Sequence, residues 1–424
     1  MIQVLLQHLI YTPSINIPLG LSDIETFPWA LLFCLSPKLV IDRAYVYLML
    51  LFGLSALASL AIFGSPVDVI RSYFAILNAS LIFYRILGAE EQEFHALIKA
   101  MVAVFLFNAF ISLVQMAGLF PDFIEPIYRM FVKRFTNEGL DGGRGVGGLY
   151  AEPAYSSYAM HFMFVFMVLW WRLDPFTRRG AVAFLLMLIF DVFINKSATG
   201  TLFLIVIFVS FVRRNTLLQL SLIIGGGLLG ILLLVPYMDD PPRALELLNN
   251  IFFTWDTDDV YMTLMNESGH RLFSILSAYK YGLLHPLGAG IGSWPVSSVL
   301  AMEDMGINSF EIYYFLEFNE GFFKGIRPTA FAAGLFLEVG LIGALAFIAV
   351  LFRHWIRLPY FSNSYWRATV NVFLFNFYLI GTIGDPMPYI AIAMGFLAMT
   401  QFLPPIRESA EAPPILPTED TPLR

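Results

Sequence analysis

Apolar and polar residues alternate in long blocks along this chain of 424 residues. Several apolar blocks run for about 17 to 24 residues, the length that crosses the hydrocarbon core of a bilayer. The pattern therefore predicts about eleven transmembrane helices, within a range of about ten to twelve. The predicted spans are Phe27–Leu39, Tyr45–Phe63, Ile70–Leu87, Ala96–Phe120, Ala151–Trp171, Ala181–Ile194, Thr199–Val212, Leu217–Tyr237, Phe331–Phe352, Val370–Ile383 and Tyr389–Leu403.

Basic residues concentrate in every second loop between these blocks. Because loops rich in lysine and arginine stay in the cytoplasm, this arrangement predicts the side of each loop. The two largest polar loops, residues 121–150 and 238–329, are then extracytoplasmic, and would face the periplasm or exterior from a bacterial inner membrane. A proline-rich tail at 404–424 is predicted to be disordered in the cytoplasm. The basic residues on the cytoplasmic side are Lys38, Arg43, Arg85, Lys99, Arg172, Arg178, Arg179, Arg213, Arg214, Arg353, Arg357, Arg367 and Arg407.

Composition points to the same class of protein. Hydrophobic residues make up 58% of the chain and charged residues 13%, with a mean hydropathy of +0.72, whereas soluble proteins carry about 25% charged residues. We therefore expect an all-α polytopic membrane protein with one transmembrane domain over residues 1–403. A single cysteine excludes an internal disulfide framework. The sequence also lacks a Walker A motif, zinc-ligand spacing and a G-x-S-x-G motif.

The stretch 267–294 of the larger loop has the pattern of an amphipathic helix. One face carries a cation and small or polar residues: Arg271, Ser274, Ala278, Gly282 and His285. Pro286 would end the helix before a glycine-rich turn. The opposite, apolar face could contact lipid, while Arg271 and the small residues would form a floor for a bulky anionic ligand. The alternative is a re-entrant helix that only fills the bundle.

A glycine-rich segment before the fifth predicted span, residues 141–156, holds a second group of candidates. Glu152 precedes a proline that fits the first position of a helix, so its carboxylate would lie near the positive end of the helix dipole. Tyr150 and Tyr155 flank it. With Arg144 close by, Glu152 could accept a proton from a sugar hydroxyl. The alternative is a helix cap with a surface salt bridge.

Basic residues on the predicted outer side form a third group, which consists of Arg144, Arg271, Arg327 and Lys196. Arginine binds phosphate oxygens in pairs. These side chains could therefore neutralise a lipid-linked diphosphate as it leaves the sugar. Each could instead extend to the membrane surface and pair with lipid headgroups.

Ionisable residues in or beside predicted spans form the last group. Glu338 and Asp191 lie where charged groups are costly and often functional, with a structural hydrogen bond as the alternative. His161 is interpreted as a hydrogen-bonded core residue. Aspartates in the larger loop resemble a divalent metal site, but a solvated acidic loop is commoner, so we expect no metal. These aspartates are Asp239, Asp240, Asp256, Asp258 and Asp259.

The larger loop and the span after it resemble O-antigen polymerases of the Wzy type. Arg271 and Gly282 reproduce the R-x10-G spacing of periplasmic loops in that family. The Pro-Leu-Gly-Ala-Gly turn at 286–290 is similar to the family's segment at the same place. Phe331–Phe352, with Leu-Glu-Val-Gly at 337–340, resembles the next span of these polymerases and of O-antigen ligases.

The glycine-rich segment adds to this resemblance. Residues 144–155, with Glu152 before its proline, look like the arginine and Glu-Pro element of exopolysaccharide and capsule polymerases. The Ser-Ala-Thr-Gly run at 197–200 is similar to a short span start in the family. The resemblance thus covers residues 144–343 in order, and the predicted topology covers the rest.

The resemblance implies a membrane glycosyltransferase with a GT-C-like bundle. It would transfer a glycan from undecaprenyl diphosphate to the sugar hydroxyl of another lipid-linked unit at the periplasmic face, inverting the anomeric centre without metal or cofactor. Arg271 and Arg144 would bind the leaving diphosphate, and Glu152 would be the base. The residues expected to contact substrate are Arg327, Tyr150, Tyr155, Gly282, His285, Lys196 and Glu338.

The implied partners are the undecaprenyl-diphosphate-linked oligosaccharide and the bilayer, with no nucleic acid. The family usually works with a chain-length regulator, which would be a protein partner here. Two other functions stay open. O-antigen ligases transfer glycan to lipid A-core, but they carry a histidine where this chain reads Arg327-Pro-Thr-Ala330. A flippase or other transporter would place charges near the membrane midplane and contain paired broken helices.

Overall fold

The computed structural model describes residues 41–119, 145–150, 152–212, 270–353, 363–381 and 386–402, and all regular structure in these ranges is helical. The helices are α1 (Arg43–Phe63), α2 (Pro66–Leu87), α3 (Glu91–Met116), α4 (Pro153–Trp171), α5 (Arg178–Ile189), α6 (Ala198–Val209), α7 (His270–Leu284), α8 (Trp294–Glu303), α9 (Tyr313–Asn319), α10 (Phe331–Phe352), α11 (Ser364–Leu379) and α12 (Met387–Leu397). Single π-helical turns extend α5 over Phe190–Ile194 and α12 over Ala398–Phe402.

Four of the described helices are long and apolar enough to cross a membrane, namely α1, α2, α3 and α10. The expectation of an all-helical, multi-pass membrane protein is therefore confirmed, whereas the figure of about eleven spans stays a prediction. Helix α6, and α12 together with its π turn, are apolar but shorter. The predicted spans Phe27–Leu39 and Leu217–Tyr237 and the tail at 404–424 lie outside the described residues.

Helix boundaries follow local capping signals. The side chain of Asp42 accepts a hydrogen bond from the Ala44 amide at 3.0 Å and so caps the start of α1. Gly64 ends α1 in the left-handed conformation, and Pro66 begins α2 at once. Pro153 likewise occupies the first turn of α4. The turn between α1 and α2 is therefore short, and the two helices run antiparallel.

Helix α4 forms the centre of the described bundle. Its residues 156–169 are buried on every side. Phe166 contacts Phe94 of α3 with ring centroids 6.1 Å apart, and Phe162 contacts Phe203 of α6 at 5.8 Å. Because such interiors are close-packed, the start of α4, where Glu152 lies, is held by packing around the rest of the helix.

One end of the bundle gathers the loops that were predicted to be extracytoplasmic. The Val146 amide donates to the Ile194 carbonyl oxygen at 3.3 Å, which joins the segment at 145–150 to the turn between α5 and α6. The Gly381 amide donates to the Thr329 carbonyl oxygen at 2.8 Å, which joins the end of α11 to the long loop. A side-chain contact between Glu152 and Arg271 of the long loop joins these two groups of segments, and the surface that they form is called the loop end below.

Basic loops meet at the opposite end. Arg85, at the end of α2, donates from Nη1 to Oε2 of Glu93 at 3.2 Å, and both side chains are buried. Arg353, just after α10, pairs with Asp42 before α1. Each of these four residues lies in or next to the last turn or first turn of a helix, so their pairing draws together the basic side of the bundle.

A glycine-rich turn, residues 286–292, lies beside the interior of α10. The turn follows α7, which packs against α10. A Cβ at Gly282 would lie 2.4 Å from the Phe336 carbonyl oxygen, and one at Gly288 would lie 2.4 Å from the Gly340 nitrogen. Both glycines are therefore needed for the close approach of the two segments.

Helix α10 is broken at Gly340, whose φ of 67° and ψ of −176° are not helical. The glycine-rich turn supplies the hydrogen bonds that the break removes. The amides of Ala289 and Gly290 donate to the carbonyl oxygens of Leu337 and Glu338 at 3.0 and 2.8 Å. On the other side of the break, the Ile342 amide donates to the Pro286 carbonyl oxygen at 3.1 Å. A second segment of the chain thus satisfies backbone groups that lipid could not.

Candidate functional site at the loop end

Glu152 and Arg271, which are 119 residues apart in sequence, form an ion pair at the loop end. Nη2 of Arg271 donates to Oε2 of Glu152 at 2.7 Å. Glu152 is the residue that precedes α4, and Arg271 is the second residue of α7. The two side chains are 30% and 43% exposed, so both can contact a ligand at this surface.

The pair combines two chemically complementary groups. A charge-assisted hydrogen bond of this length is a strong one, and a guanidinium has five N–H donors in a planar fork. Arg271 can therefore bind phosphate oxygens with donors that Glu152 does not use. A carboxylate has about four lone-pair sites, so Glu152 can accept the proton of a substrate hydroxyl while it contacts Arg271.

His270 lies beside the pair, at the first position of α7. Burial, and then the positive charge of Arg271, lower its pKa from the ordinary 6.5 to about 4, although Glu152 acts in the opposite direction. His270 is therefore neutral near pH 7 and adds no second positive charge there. Its ring contacts that of Tyr314, with centroids 4.2 Å apart. In the sequence, only its position next to Arg271 distinguishes this histidine.

A second polar cluster surrounds Glu338, at the break in α10. Its carboxylate is 1% exposed and accepts a hydrogen bond from the Ser72 hydroxyl at 3.0 Å. Nη2 of Arg327 lies 4.0 Å from Oε1 of Glu338 and also hydrogen-bonds Ser72. The guanidinium carbon of Arg327 lies 6.0 Å from the ring centroid of Trp294. Neither Ser72 nor Trp294 was predicted to belong to a site.

This cluster connects three elements beside the break. Glu338 lies seven residues into α10, about 10 Å along the helix axis. Ser72 belongs to α2, and Arg327 is in the loop that leads to α10. A buried carboxylate requires hydrogen bonds and a counter-charge, so the geometry first of all explains how Glu338 is stabilised.

Three other predicted residues lie near the start of α4 or the turn after α5. Tyr150 is buried, and its amide donates to the Gly147 carbonyl oxygen at 3.0 Å. The Tyr155 ring contacts that of Tyr158 with centroids 5.5 Å apart. Lys196 is half-buried and has a positive φ of 47°. Arg144 and the aspartates at 239–259 lie outside the described residues.

The small-residue face of α7 does not form an open floor. Ser274, Ala278 and Gly282 are buried, and Gly282 meets the backbone of Phe336 in α10. This face therefore packs against a membrane-span candidate, as in the alternative of a re-entrant helix. His285 lies beyond the end of α7, exposed, with its ring 4.2 Å from that of Tyr281.

Buried polar residues also connect α4 to the turn after α5. Nδ1 of His161 lies 2.6 Å from the Ser157 carbonyl oxygen, which can only accept, so Nδ1 carries a proton. Nε2 of His161 lies 3.0 Å from Oδ2 of Asp191, and both side chains are fully buried. His161 is thus a hydrogen-bonded core residue, in agreement with its interpretation from the sequence.

The network continues to the segments that flank Glu152. The Ser157 hydroxyl donates to Oδ1 of Asp191 at 3.3 Å, and Nδ2 of Asn195 donates to that hydroxyl at 3.0 Å. Nδ2 of Asn108 donates to the Ser156 hydroxyl at 3.0 Å. Residues 156 and 157 belong to the first turns of α4, so the network fixes the part of α4 that follows Glu152.

Asp191 is expected to contribute strongly to stability through this network. Replacing Asp191 by leucine would remove the acceptor of the Ser157 hydroxyl and the buried carboxylate beside Nε2 of His161, at a cost of about 3 to 5 kcal/mol. Asp191→Asn should cost only about 1 kcal/mol, because its amide keeps the shape of the side chain and an oxygen that can accept from Ser157. Denaturation in mixed micelles measures both losses, and equal losses would contradict this assignment.

Comparisons with known proteins identify no relative of this chain. No family model, characterised protein or solved structure matches the chain. The resemblance to O-antigen polymerases therefore rests on the motifs alone. Two residues that those motifs select separately, Glu152 and Arg271, are nevertheless in direct contact.

Proposed function

We propose that this chain is a bacterial polysaccharide polymerase of the inner membrane, which transfers a glycan from undecaprenyl diphosphate to a sugar hydroxyl of a second lipid-linked unit. One observation carries the proposal. Glu152 and Arg271 meet at 2.7 Å on the surface where the long loop joins the bundle. A carboxylate and a guanidinium at one exposed point are the two groups that metal-independent transfer from a diphosphate donor requires.

In the proposed reaction the acceptor oxygen attacks the anomeric carbon of the donor sugar. The bond from that carbon to the diphosphate oxygen breaks as the new glycosidic bond forms, with inversion. Glu152 takes the proton of the acceptor hydroxyl, and Arg271 binds the departing undecaprenyl diphosphate. No nucleotide or metal is required, because the diphosphate linkage already activates the donor.

The other predicted residues have defined places in this proposal. Arg144 would add charge to the diphosphate site, and Tyr150 and Tyr155 would support the segment that holds Glu152. Arg327 lies in the Glu338 cluster, on the same long loop. A GT-C-like bundle of about eleven spans, facing the periplasm and contacting a chain-length regulator, belongs to the same proposal.

A transporter of lipid-linked oligosaccharides is the second candidate. The observation in its favour is the break in α10 with the buried Glu338 beside it, because transporters use broken helices and buried charges along their substrate path. The carbonyl groups at this break are already bonded to Ala289 and Gly290. They are therefore not available for an ion or substrate, which makes the break better suited to a structural role.

The test uses purified protein in detergent with a synthetic undecaprenyl-diphosphate repeat unit, EDTA and no nucleotide. A polymerase is expected to produce a ladder of lengthened lipid-linked glycans. Transfer that occurs only after lipid A-core is added would identify a ligase instead. No transfer in either assay, together with movement of the labelled substrate across vesicle membranes, would identify a transporter.

A further inference from the structure

A row of aromatic rings leads away from the Glu152–Arg271 ion pair. It begins at His270, which is adjacent to Arg271 in sequence and whose ring centroid lies 4.2 Å from that of Tyr314. The Tyr314 ring lies 5.5 Å from that of Phe318. Phe318 is 68% exposed, so the row runs from the ion pair to the outer surface of the long loop.

Helix α9 presents this row together with a carboxylate. Tyr314, Glu317 and Phe318 are spaced i, i+3 and i+4, which places them on one side of a helix. Phe315 points elsewhere and is fully buried, with its ring 5.1 Å from that of Phe323. The exposed side of α9 is thus held in place by a packed aromatic core beneath it.

We propose that the exposed side of α9 binds the sugar rings of a glycan that extends from the Glu152–Arg271 site. The inference rests on the proposed function, and it assigns a substrate subsite that the transfer chemistry does not require. Sugar rings have faces of polarised C–H bonds, which are attracted to the negative face of an aromatic ring. The carboxylate of Glu317 can accept hydrogen bonds from sugar hydroxyls.

The charge around the row favours a glycan over lipid. Glu311, Glu317 and Glu320 are all exposed on or beside α9. Carboxylates are costly in the hydrocarbon region of a membrane and are repelled by anionic headgroups. Sugar hydroxyls, in contrast, are good partners for them. The row also begins at the ion pair, so a bound glycan and the reacting sugar would be continuous.

Two phenylalanines provide a matched test. Phe318 and Phe322 are both 68% exposed on the same loop, but only Phe318 belongs to the row among the described residues. The probe is a soluble oligosaccharide from partial hydrolysis of the host's own surface polysaccharide, titrated into wild-type and variant protein in nanodiscs. Phe318→Ala should weaken binding about fivefold to tenfold, and Phe322→Ala should leave it unchanged. Glu317→Gln, which keeps the side-chain shape, should also weaken binding.

Several results would overturn the proposal. It fails if wild-type protein does not bind the oligosaccharide, or if Phe318→Ala binds it as tightly as wild type. A bilayer contact would also overturn it. The single cysteine, Cys34, can be replaced by serine, and a nitroxide label at Phe318→Cys should then be relaxed more by water-soluble than by lipid-soluble agents.

The transfer assay separates this proposal from the polymerase itself. If a ladder of glycans forms but Phe318→Ala binds oligosaccharide normally, the subsite is wrong and the polymerase stands. If the oligosaccharide binds through Phe318 but no ladder forms, the subsite stands and the transfer chemistry is wrong. With both correct, Phe318→Ala should shorten the polymer while Phe322→Ala does not.

Discussion

Replacing Arg271 by alanine is expected to abolish long polysaccharide while the protein remains folded in the membrane. The change removes the guanidinium that would bind the departing diphosphate, at a site where Arg271 is 43% exposed and contributes little to packing. Loss of one group that stabilises developing charge typically costs about 100-fold to 1000-fold in rate. The measurement is the glycan ladder from purified protein, with the amount of folded protein determined by gel filtration.

Lys280→Ala is the matched control for this prediction. Lys280 is a second exposed cation on α7, and its ammonium group donates to the Asp304 carbonyl oxygen, away from Glu152. Its removal should leave the ladder unchanged. Arg271→Lys should recover only part of the activity, because an ammonium group cannot bind phosphate oxygens as a planar fork. Normal chain lengths in Arg271→Ala would rule out its proposed role.

Gly340→Ala should destabilise the protein far more than alanine at Gly306, a glycine whose Cβ position is open. Its φ of 67° disfavours any L side chain, and the added Cβ would lie 2.3 Å from the Pro286 carbonyl oxygen. Relief of that contact requires separation of the glycine-rich turn from the break, which would leave buried amides and carbonyls unpaired. We expect a loss of more than about 4 kcal/mol, measured by unfolding in mixed micelles.

Gly306→Ala separates the two contributions to this effect. Gly306 has a similar φ of 75°, but no atom lies within 4 Å of the Cβ position. Its substitution should therefore cost only the backbone strain, about 1 to 2 kcal/mol. If Gly340→Ala unfolds no more easily than Gly306→Ala, the glycine-rich turn does not support α10 as described.

The sequence predicted the long apolar helices well, and Phe331–Phe352 has the same bounds as α10, but other helices begin before the predicted residue. The predicted span Ala96–Phe120 belongs to α3, which begins at Glu91 and ends at Met116. Its first turn contains Glu91 and Glu93, and carboxylates there are favourable near the positive end of the helix dipole. A prediction based on runs of apolar residues leaves out this turn because it is charged, although its backbone is helical.

The contacts of the candidate site could not be predicted from the sequence. Motifs selected Glu152 and Arg271 one at a time, but their contact depends on how α4 and α7 pack, which no local pattern reveals. The role of the small residues of α7 could not be decided from the sequence for the same reason. A helix face that contains Gly282 is suited to an open ligand floor and equally to a close contact with another helix. The position of Phe336 beside Gly282 shows that it forms the helix contact. Ser72 resembles any other polar residue in a span until Glu338 is placed beside it.

The break in α10 also has a consequence for the order of biosynthesis. A helix that enters the bilayer with two unpaired carbonyl groups would be penalised until partners arrive. Here the partners, the amides of Ala289 and Gly290, precede Leu337 and Glu338 in the chain and so leave the ribosome earlier. Translation from the N-terminus therefore supplies the hydrogen-bond donors before the helix that needs them is made.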